Sequence, residues 1–297
     1  MNREPQPIER LEFLRMLAPL ATLGFLMSRF IHVQYWLTEI GFVVPEQVSG
    51  DYRQPLYIPP IPVWLAVVVS IATVVAGLAT SIGFRTRISS GIFAALLAYL
   101  ALADRLEAFT VNKLGTVLAI ALFASPAGAR YSIDALRDRG TRSDSAPIQV
   151  SWGNVRFFQT LLIFIYFASG IAKIRGGWLK EPLALFSHLH DSYQTAFTYF
   201  MARTVPGFGW TLFQYVALIY EVGAPLWFML RRTRQPALVL GLGMHAMIGI
   251  MFGPVIWFSL LMSVLLLSSF APLPWLSRVL GRVWPAEVQP QTALKET

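Results

Sequence analysis

The sequence predicts an all-α fold, a polytopic membrane bundle of about eight transmembrane helices. Of its 297 residues, 55% are hydrophobic and only 13% are charged, whereas about 25% of the residues in a soluble domain are charged. The apolar residues stand in long blocks, and a helix of about 20 such residues crosses a hydrocarbon core of roughly 30 Å. Composition and patterning therefore predict an integral membrane protein.

The predicted spans follow one another along the chain. The polar, basic start MNREPQPIER leads into the first apolar block without a small-residue cleavage site, which predicts an uncleaved first span. The third and fourth spans are short, so a count of seven is the alternative. The last two spans meet in a tight hairpin at Gly253 and Pro254. The predicted spans are 11–30, 62–83, 88–104, 110–125, 157–174, 208–230, 236–253 and 255–271.

Residues 1–275 are predicted to form one transmembrane domain, and residues 276–297 a short cytoplasmic tail. The segment PWLSRVLGRVW places its apolar residues on one face, which is typical of a helix lying in the membrane interface. The outer segments 31–61 and 174–207 are long and rich in aromatic residues. We expect them to lie in the interface or to cover the bundle as a lid.

Lysine and arginine are unevenly distributed between the two sides of the predicted bundle. Sixteen of the 24 lie in segments on the same side as the N-terminus, and eight lie on the other side. The positive-inside rule therefore predicts both termini in the cytoplasm and the chain in the cell inner membrane. This topology accounts for the net charge of +8, and no nucleic-acid partner is expected.

Several kinds of site are excluded or weakly indicated. The chain has no cysteine, which rules out disulfides, thiolate catalysis and cysteine-ligated metals. Neither a phosphate-binding G-x-x-x-x-G-K-[ST] motif nor H-E-x-x-H occurs, so no nucleotide or metal cofactor is expected. His188, His190 and Asp191 form an H-x-HD cluster that metal binding would use, with His32 as a further candidate ligand. We interpret these histidines as solvated.

Three polar residues recur at sevenfold spacing in the fifth predicted span. Gln159, Tyr166 and Lys173 fall on one helix face together with the small residue Gly170. Such a stripe faces the bundle or a cavity rather than lipid. Lys173 is then a base held in an apolar pocket. The alternative is an anchor whose ammonium reaches the outer interface.

Two further ionisable residues lie deep in predicted spans. Glu221 stands near the membrane midplane, with Gln214 on the same face, and is either protonated, paired with a cation, or hydrogen-bonded between helices. Pro225 is expected to kink that helix. His245, near Gly241 and other glycines, is either a buried hydrogen-bonding residue or a stacking or proton-relay residue.

The stretch IYFASGIAKIRGGW resembles the motif of the HTTM (horizontally transferred transmembrane) proteins, a family that includes the vitamin K-dependent γ-glutamyl carboxylase. Tyr166, Phe167, Gly170, Lys173 and Trp178 match it at the family's spacing. In that family the lysine is the catalytic base. The resemblance therefore implies that Lys173 is a base and that residues 1–275 form an HTTM-like domain.

Other segments carry the resemblance further. Glu221 and His245 match an acidic residue and a later histidine, and Asn112 matches an asparagine that the family follows with a functional histidine, a position occupied here by Lys113. The resemblance implies catalytic roles for Lys173, Lys113, Glu221 and His245. It implies that Tyr166, Gly170, Trp178 and Asn112 bind the cofactor.

The function that the resemblance implies is a vitamin K-dependent, γ-carboxylase-like reaction, that is, a carbon–carbon lyase or quinol oxygenase activity. Its cofactor would be a reduced quinone of the menaquinol type, held in an intramembrane cavity. Its partners would be the lipid bilayer and a hydrophobic small molecule or peptide substrate. The alternative is a non-enzymatic membrane protein that binds or moves a lipid or small solute, or acts as an assembly or immunity partner.

Overall fold

A computed structural model describes residues 5–41, 46, 56–103, 109–138, 148–190 and 194–284. Parts of both predicted outer segments and residues 285–297 of the predicted tail lie outside this description. Two short strands pair antiparallel, β1 (Gln6–Pro7) with β2 (Gln149–Val150), and join the start of the chain to the segment before the seventh helix. No sequence pattern indicated this pairing.

The described residues are otherwise mainly helical. The α-helices are α1 (Glu9–Phe30), α2 (Val33–Leu37), α3 (Val63–Ile82), α4 (Thr86–Ala103), α5 (Thr110–Phe123), α6 (Ile133–Asp138), α7 (Trp152–Arg175), α8 (Ala184–Ser187), α9 (Ala196–Thr204), α10 (Gly207–Val222), α11 (Ala224–Met229), α12 (Arg231–Met251), α13 (Ile256–Phe270) and α14 (Leu273–Val283). Short 3₁₀ turns cover His188–His190 and Gly253–Val255.

The predicted all-α membrane bundle is confirmed. Within the described residues, α1, α3, α4, α7 and the segment Gly253–Phe270 are long and apolar enough to cross a membrane. A shorter apolar helix, α5, lies at the fourth predicted span. The predicted span 208–230 is not one helix, because α10 ends at Val222 and α11 begins at Ala224.

The first helix, α1, is central to the bundle. It packs against α3, α5, α13 and α14, while α7 packs against α10, α11 and α13. Leucines such as Leu11, Leu14 and Leu26 are fully buried on α1. Apolar side chains such as Trp64 and Val239 remain exposed, as expected for helix faces that contact lipid.

A buried ion pair lies near the start of α1. Arg15 Nε donates to Glu12 Oε2 at 2.9 Å, and both side chains are fully buried. Arg15 also donates to the carbonyl oxygens of Thr80 and Tyr131, and the backbone N–H of Arg130 donates to Glu12 Oε1 at 3.0 Å. Because every charged group has partners, the desolvation cost is offset. The positive-inside count included Arg15 among the sixteen basic residues on the side of the N-terminus, whereas its side chain is buried and joins α1 to the end of α3 and to the segment before α6.

Asp134, in the first turn of α6, binds the start of α4. Its carboxylate accepts from the backbone N–H groups of Arg85 and Thr86, both at 2.7 Å, and from the Thr86 hydroxyl at 2.8 Å. Partial burial acts to raise the pKa of Asp134, but these hydrogen bonds and the nearby Arg137 guanidinium lower it below its ordinary value. The carboxylate therefore caps the helix in its charged form.

The amphipathic segment near the C-terminus forms α14. Leu276 and Leu280 are buried on its inner face, and the Trp275 ring lies 6.0 Å from that of Phe13 on α1. Arg278 and Arg282 are exposed on the opposite side. The apolar face of this helix is therefore packed against α1.

Candidate functional site

The polar stripe of α7 faces the bundle. Gln159 Nε2 donates to the Ser269 carbonyl on α13 at 2.8 Å. Tyr166 is only 3% exposed. Lys173, two turns further along the helix, reaches a carboxylate on α10. The sevenfold spacing thus predicted the direction of all three side chains.

Lys173 and Glu221 form the central contact of the candidate site. Lys173 Nζ lies 2.6 Å and 2.5 Å from the two oxygens of Glu221 and donates to Ser169 Oγ at 2.8 Å. The side chains are 24% and 9% exposed, respectively. The indole of Trp178 lies 5.3 Å from Nζ, a cation–π distance. This geometry fits the inward orientation of Lys173 and the cation-paired form of Glu221.

Lys173 lies in the last turn of α7, at the end of the helix where the predicted span 157–174 also places it. Its contact with Glu221 places the two residues at one level. Gln214 lies two turns before Glu221, about 10 Å away along α10. It binds the carbonyls of Trp178 and Glu181, so the chain after α7 continues beyond the level of Glu221. The segment following α7 therefore extends past the Lys173–Glu221 contact, and its Trp178 ring lies beside Nζ.

Gln214 holds the segment that follows α7 by binding its main chain. Its Nε2 donates to the carbonyl oxygens of Trp178 and Glu181 at 2.7 and 2.8 Å, and its Oε1 accepts from the Leu185 N–H at 2.9 Å. The side chain is fully buried. The sequence placed Gln214 on the face of Glu221 but did not indicate this role, because its partners are main-chain atoms.

Gly170 allows α7 and α10 to approach closely at the ion pair. A Cβ atom added at Gly170 would lie 2.7 Å from Val222 Cγ2 and 2.9 Å from the Val222 nitrogen. The helix breaks immediately afterwards at Gly223, and Pro225 has no N–H to donate to the Glu221 carbonyl four residues earlier. A close helix contact and a helix break therefore flank Glu221.

Tyr166 and His245 form a second, deeper contact. The Tyr166 hydroxyl lies 2.7 Å from His245 Nε2, and both residues are buried. Aromatic rings surround the pair, with Tyr220 5.2 Å from Tyr166 and Phe258 5.9 Å from His245. Among the described residues, His245 Nδ1 has no hydrogen-bond partner. Gly241, one turn before His245, leaves room for the Tyr220 hydroxyl.

Asn112 and Lys113 lie on α5, away from these contacts. In the described part of the chain, no hydrogen bond or ion pair joins either residue to Lys173, Glu221 or His245. Asn112 is 1% exposed, and its side-chain atoms have no partner among the described residues. Lys113 is exposed. Their roles beside Lys173 remain predictions.

The histidines of the outer segment show no metal-binding geometry where they are described. His188 Nδ1 lies 2.6 Å from the Ala184 carbonyl, and its ring lies 6.1 Å from that of Trp178. The His190 side chain and Asp191 lie outside the description. Among the described residues, no group of three histidine, cysteine or acidic side chains is close enough to hold a metal ion.

Two apolar grooves open on the bundle surface. One, of about 390 Å³, lies between α5 and α7 and is lined by residues such as Ile120 and Phe157. The other, of about 350 Å³, lies along α10 to α12 and includes Tyr220 and Trp227. Neither lining includes Lys173. The second groove reaches Tyr220, whose ring contacts Tyr166.

Fold and site together define a multi-pass integral membrane protein with polar pairs buried between its helices. The sequence model of the HTTM domain matches residues 4–275, and the chain belongs to the HTTM family. No curated protein and no solved structure matches the chain.

Proposed function

We propose that this HTTM protein binds a lipid-soluble, hydroxyl-bearing molecule of the quinol type at the Lys173–Glu221 pair. We further propose that Lys173 is the base of a carboxylase- or oxygenase-like reaction. The observation that carries the proposal is the position of Lys173 Nζ, 2.5 Å from a Glu221 oxygen inside the membrane domain. Ionisable groups in such positions are costly and are typically retained for function.

The residues around the pair fit such a ligand. Trp178 offers an aromatic face beside Nζ, and the part of Lys173 that stays exposed leaves a direction from which a hydroxyl group can approach. A reduced quinone, when bound, supplies the acidic hydroxyl and the reducing electrons of the reaction. Glu221 can accept a proton from Nζ, and the free amine can then take one from the ligand hydroxyl.

Tyr166 and His245 support this site from the interior. Tyr166 lies two turns before Lys173 on the same face, and its hydroxyl contacts His245 Nε2. We assign them the shaping of the inner wall and the holding of a proton at the phenol or the imidazole. Gly170 keeps the helices close enough for the ion pair to form.

The alternative is a membrane protein that binds or moves a lipid or small solute without reaction. The observation that favours it is the helix break at Gly223, next to Glu221, because interrupted helices at membrane depth usually line a binding site. In this alternative Lys173 and Glu221 recognise the solute or hold the helices together, and no proton leaves Nζ.

Lys173→Arg separates the two functions. Arginine keeps a cation next to Glu221 but does not give up its proton. The assay supplies menaquinol and O₂ to the purified protein and follows quinol oxidation by absorbance. It also measures the bound quinone by native mass spectrometry. The enzyme proposal predicts that Lys173→Arg binds quinone but loses at least about 100-fold in rate. Absence of turnover and of bound quinone in the wild type would contradict it.

A further inference from the structure

Three arginines from three helices meet at the end of the bundle that holds the start of α1. Arg10 on α1, Arg156 on α7 and Arg234 on α12 all lie around residues 268–271, where α13 ends. They are called the arginine cluster below. It lies at the opposite end of α7 from Lys173, so it is separate from the proposed site.

Each arginine is held by contacts at the end of α13. Arg10 donates to the carbonyls of Ser268 and Ala271 at 2.9 and 3.0 Å. Arg156 donates to Gln159, which in turn donates to the Ser269 carbonyl. Arg234 Nε donates to the Phe228 carbonyl at 3.1 Å, and its guanidinium lies 5.8 Å from the Phe270 ring. These contacts fix three guanidinium groups around one helix turn.

The positive charge of the cluster exceeds what its protein partners neutralise. All three guanidinium groups lie around residues 268–271, so their like charges repel one another. Glu9, the acidic residue that precedes Arg10 on α1, forms its ion pair with Arg130 instead, at 3.1 Å. The end of a helix offers only about half a negative charge.

Donor groups remain available at the cluster. Arg10 uses two of its five N–H groups in the carbonyl contacts. Two buried donors on the same elements, Ser269 Oγ on α13 and Trp152 Nε1 on α7, have no hydrogen-bond partner among the described residues. Trp152 lies 5.7 Å from the Arg156 guanidinium. All three arginines are only partly buried, so an anion can reach them.

We propose that the arginine cluster binds a phosphate group, supplied by an anionic lipid headgroup or by free phosphate. The planar guanidinium fork matches phosphate oxygens two at a time. Basic pockets between membrane helices, at the level of the headgroups, are suited to such ligands. A bound phosphate offsets the repulsion among the arginines and stabilises the junction of α1, α7, α12 and α13.

The test uses the full chain in detergent, with native mass spectrometry of added phosphatidylglycerol, diacylglycerol and inorganic phosphate. Phosphatidylglycerol is expected to bind, and its affinity should fall about five- to tenfold in Arg156→Gln and in Arg234→Gln. Arg232→Gln is the matched control, because Arg232 is exposed on the same turn of α12. Its affinity should change less than about twofold. Higher salt should weaken wild-type binding.

The arms distinguish the two sources of phosphate. Free phosphate is a ligand if millimolar phosphate displaces the lipid. It is also a ligand if phosphate alone raises the melting temperature of the wild type but not that of Arg156→Gln. If only the lipid binds, a headgroup is the ligand. Equal binding of diacylglycerol, or equal losses in Arg232→Gln and the cluster variants, would overturn the proposal. If Arg156→Gln does not fold, Arg156→Lys replaces it, because lysine keeps the positive charge. Unchanged lipid affinity in both Arg156→Lys and Arg234→Lys would overturn the predicted bidentate contact between guanidinium and phosphate.

Discussion

Replacing Lys173 or Glu221 alone should lower the unfolding free energy, because the remaining charge is left without its partner. Replacing the second residue as well should cost no more. Exposed ion pairs contribute about 0–1 kcal/mol, whereas removing one partner of a buried pair costs about 3–5 kcal/mol. The Glu221 side chain is only 9% exposed, so it behaves nearly as a buried charge. Lys173→Met, which leaves it unpaired, should therefore lower the unfolding free energy by about 3 kcal/mol. Lys173 is 24% exposed and retains Ser169, so Glu221→Gln should cost about 2 kcal/mol.

The double variant Lys173→Met/Glu221→Gln leaves no unpaired charge, and it should cost only about 2 kcal/mol. The coupling free energy is then about 3 kcal/mol, to be measured by equilibrium unfolding in mixed detergent micelles. Lys180→Met is the control, because Lys180 is exposed and its loss should change stability by less than about 0.5 kcal/mol. Single-variant losses that add to the double-variant loss within about 0.5 kcal/mol would refute the pairing.

Three further predictions concern the surroundings of the site and the opposite end of the bundle. Gly170→Ala should lower the unfolding free energy by about 1–3 kcal/mol through overlap with α10; Gly243→Ala on α12, with open space around the added methyl group, should be neutral or stabilising. Gln214→Leu should lose three hydrogen bonds, and hydrogen exchange should show faster opening of residues 176–187, whereas unchanged exchange would contradict the role of Gln214. Asp134→Asn should cost about 1 kcal/mol at neutral pH. Folding lowers the pKa of Asp134, so its full contribution to the unfolding free energy is present above about pH 4. This contribution is lost as the pH falls through the pKa of the folded state. Plots of unfolding free energy against pH for Asp134→Asn and the wild type should converge there.

The sequence predicted the directions of side chains better than their partners. Helical periodicity alone turned Lys173 toward the bundle, because residues seven apart share a face. It could not select Glu221, which is 48 residues away, since the packing of α7 on α10 depends on long-range contacts. Periodicity placed Gln214 on the face of Glu221 but did not predict its role, because its partners are main-chain atoms and these have no signature in a sequence.

The distribution of charged residues predicted the two sides of the bundle but not the surroundings of individual arginines. Counting arginines by side predicted an inner and an outer face, yet it included Arg15 among the basic residues on the side of the N-terminus. The structure instead buries Arg15 with Glu12 three residues away, a spacing that sequence can reveal although burial cannot be read from it. Arg10, Arg156 and Arg234 come from three distant segments, so their clustering required the fold.

The ion pair changes what Lys173 must do in order to act as a base. A lysine that donates to Glu221 and Ser169 must pass a proton to the carboxylate before its amine can accept one from the ligand. In the proposed reaction, Glu221 is then needed for proton transfer as well as for stability. Glu221→Gln should abolish turnover even under conditions where the variant stays folded, and Lys173→Arg should do the same while keeping the pair. A carrier, by contrast, tolerates Lys173→Arg, so the two variants together separate proton transfer from recognition.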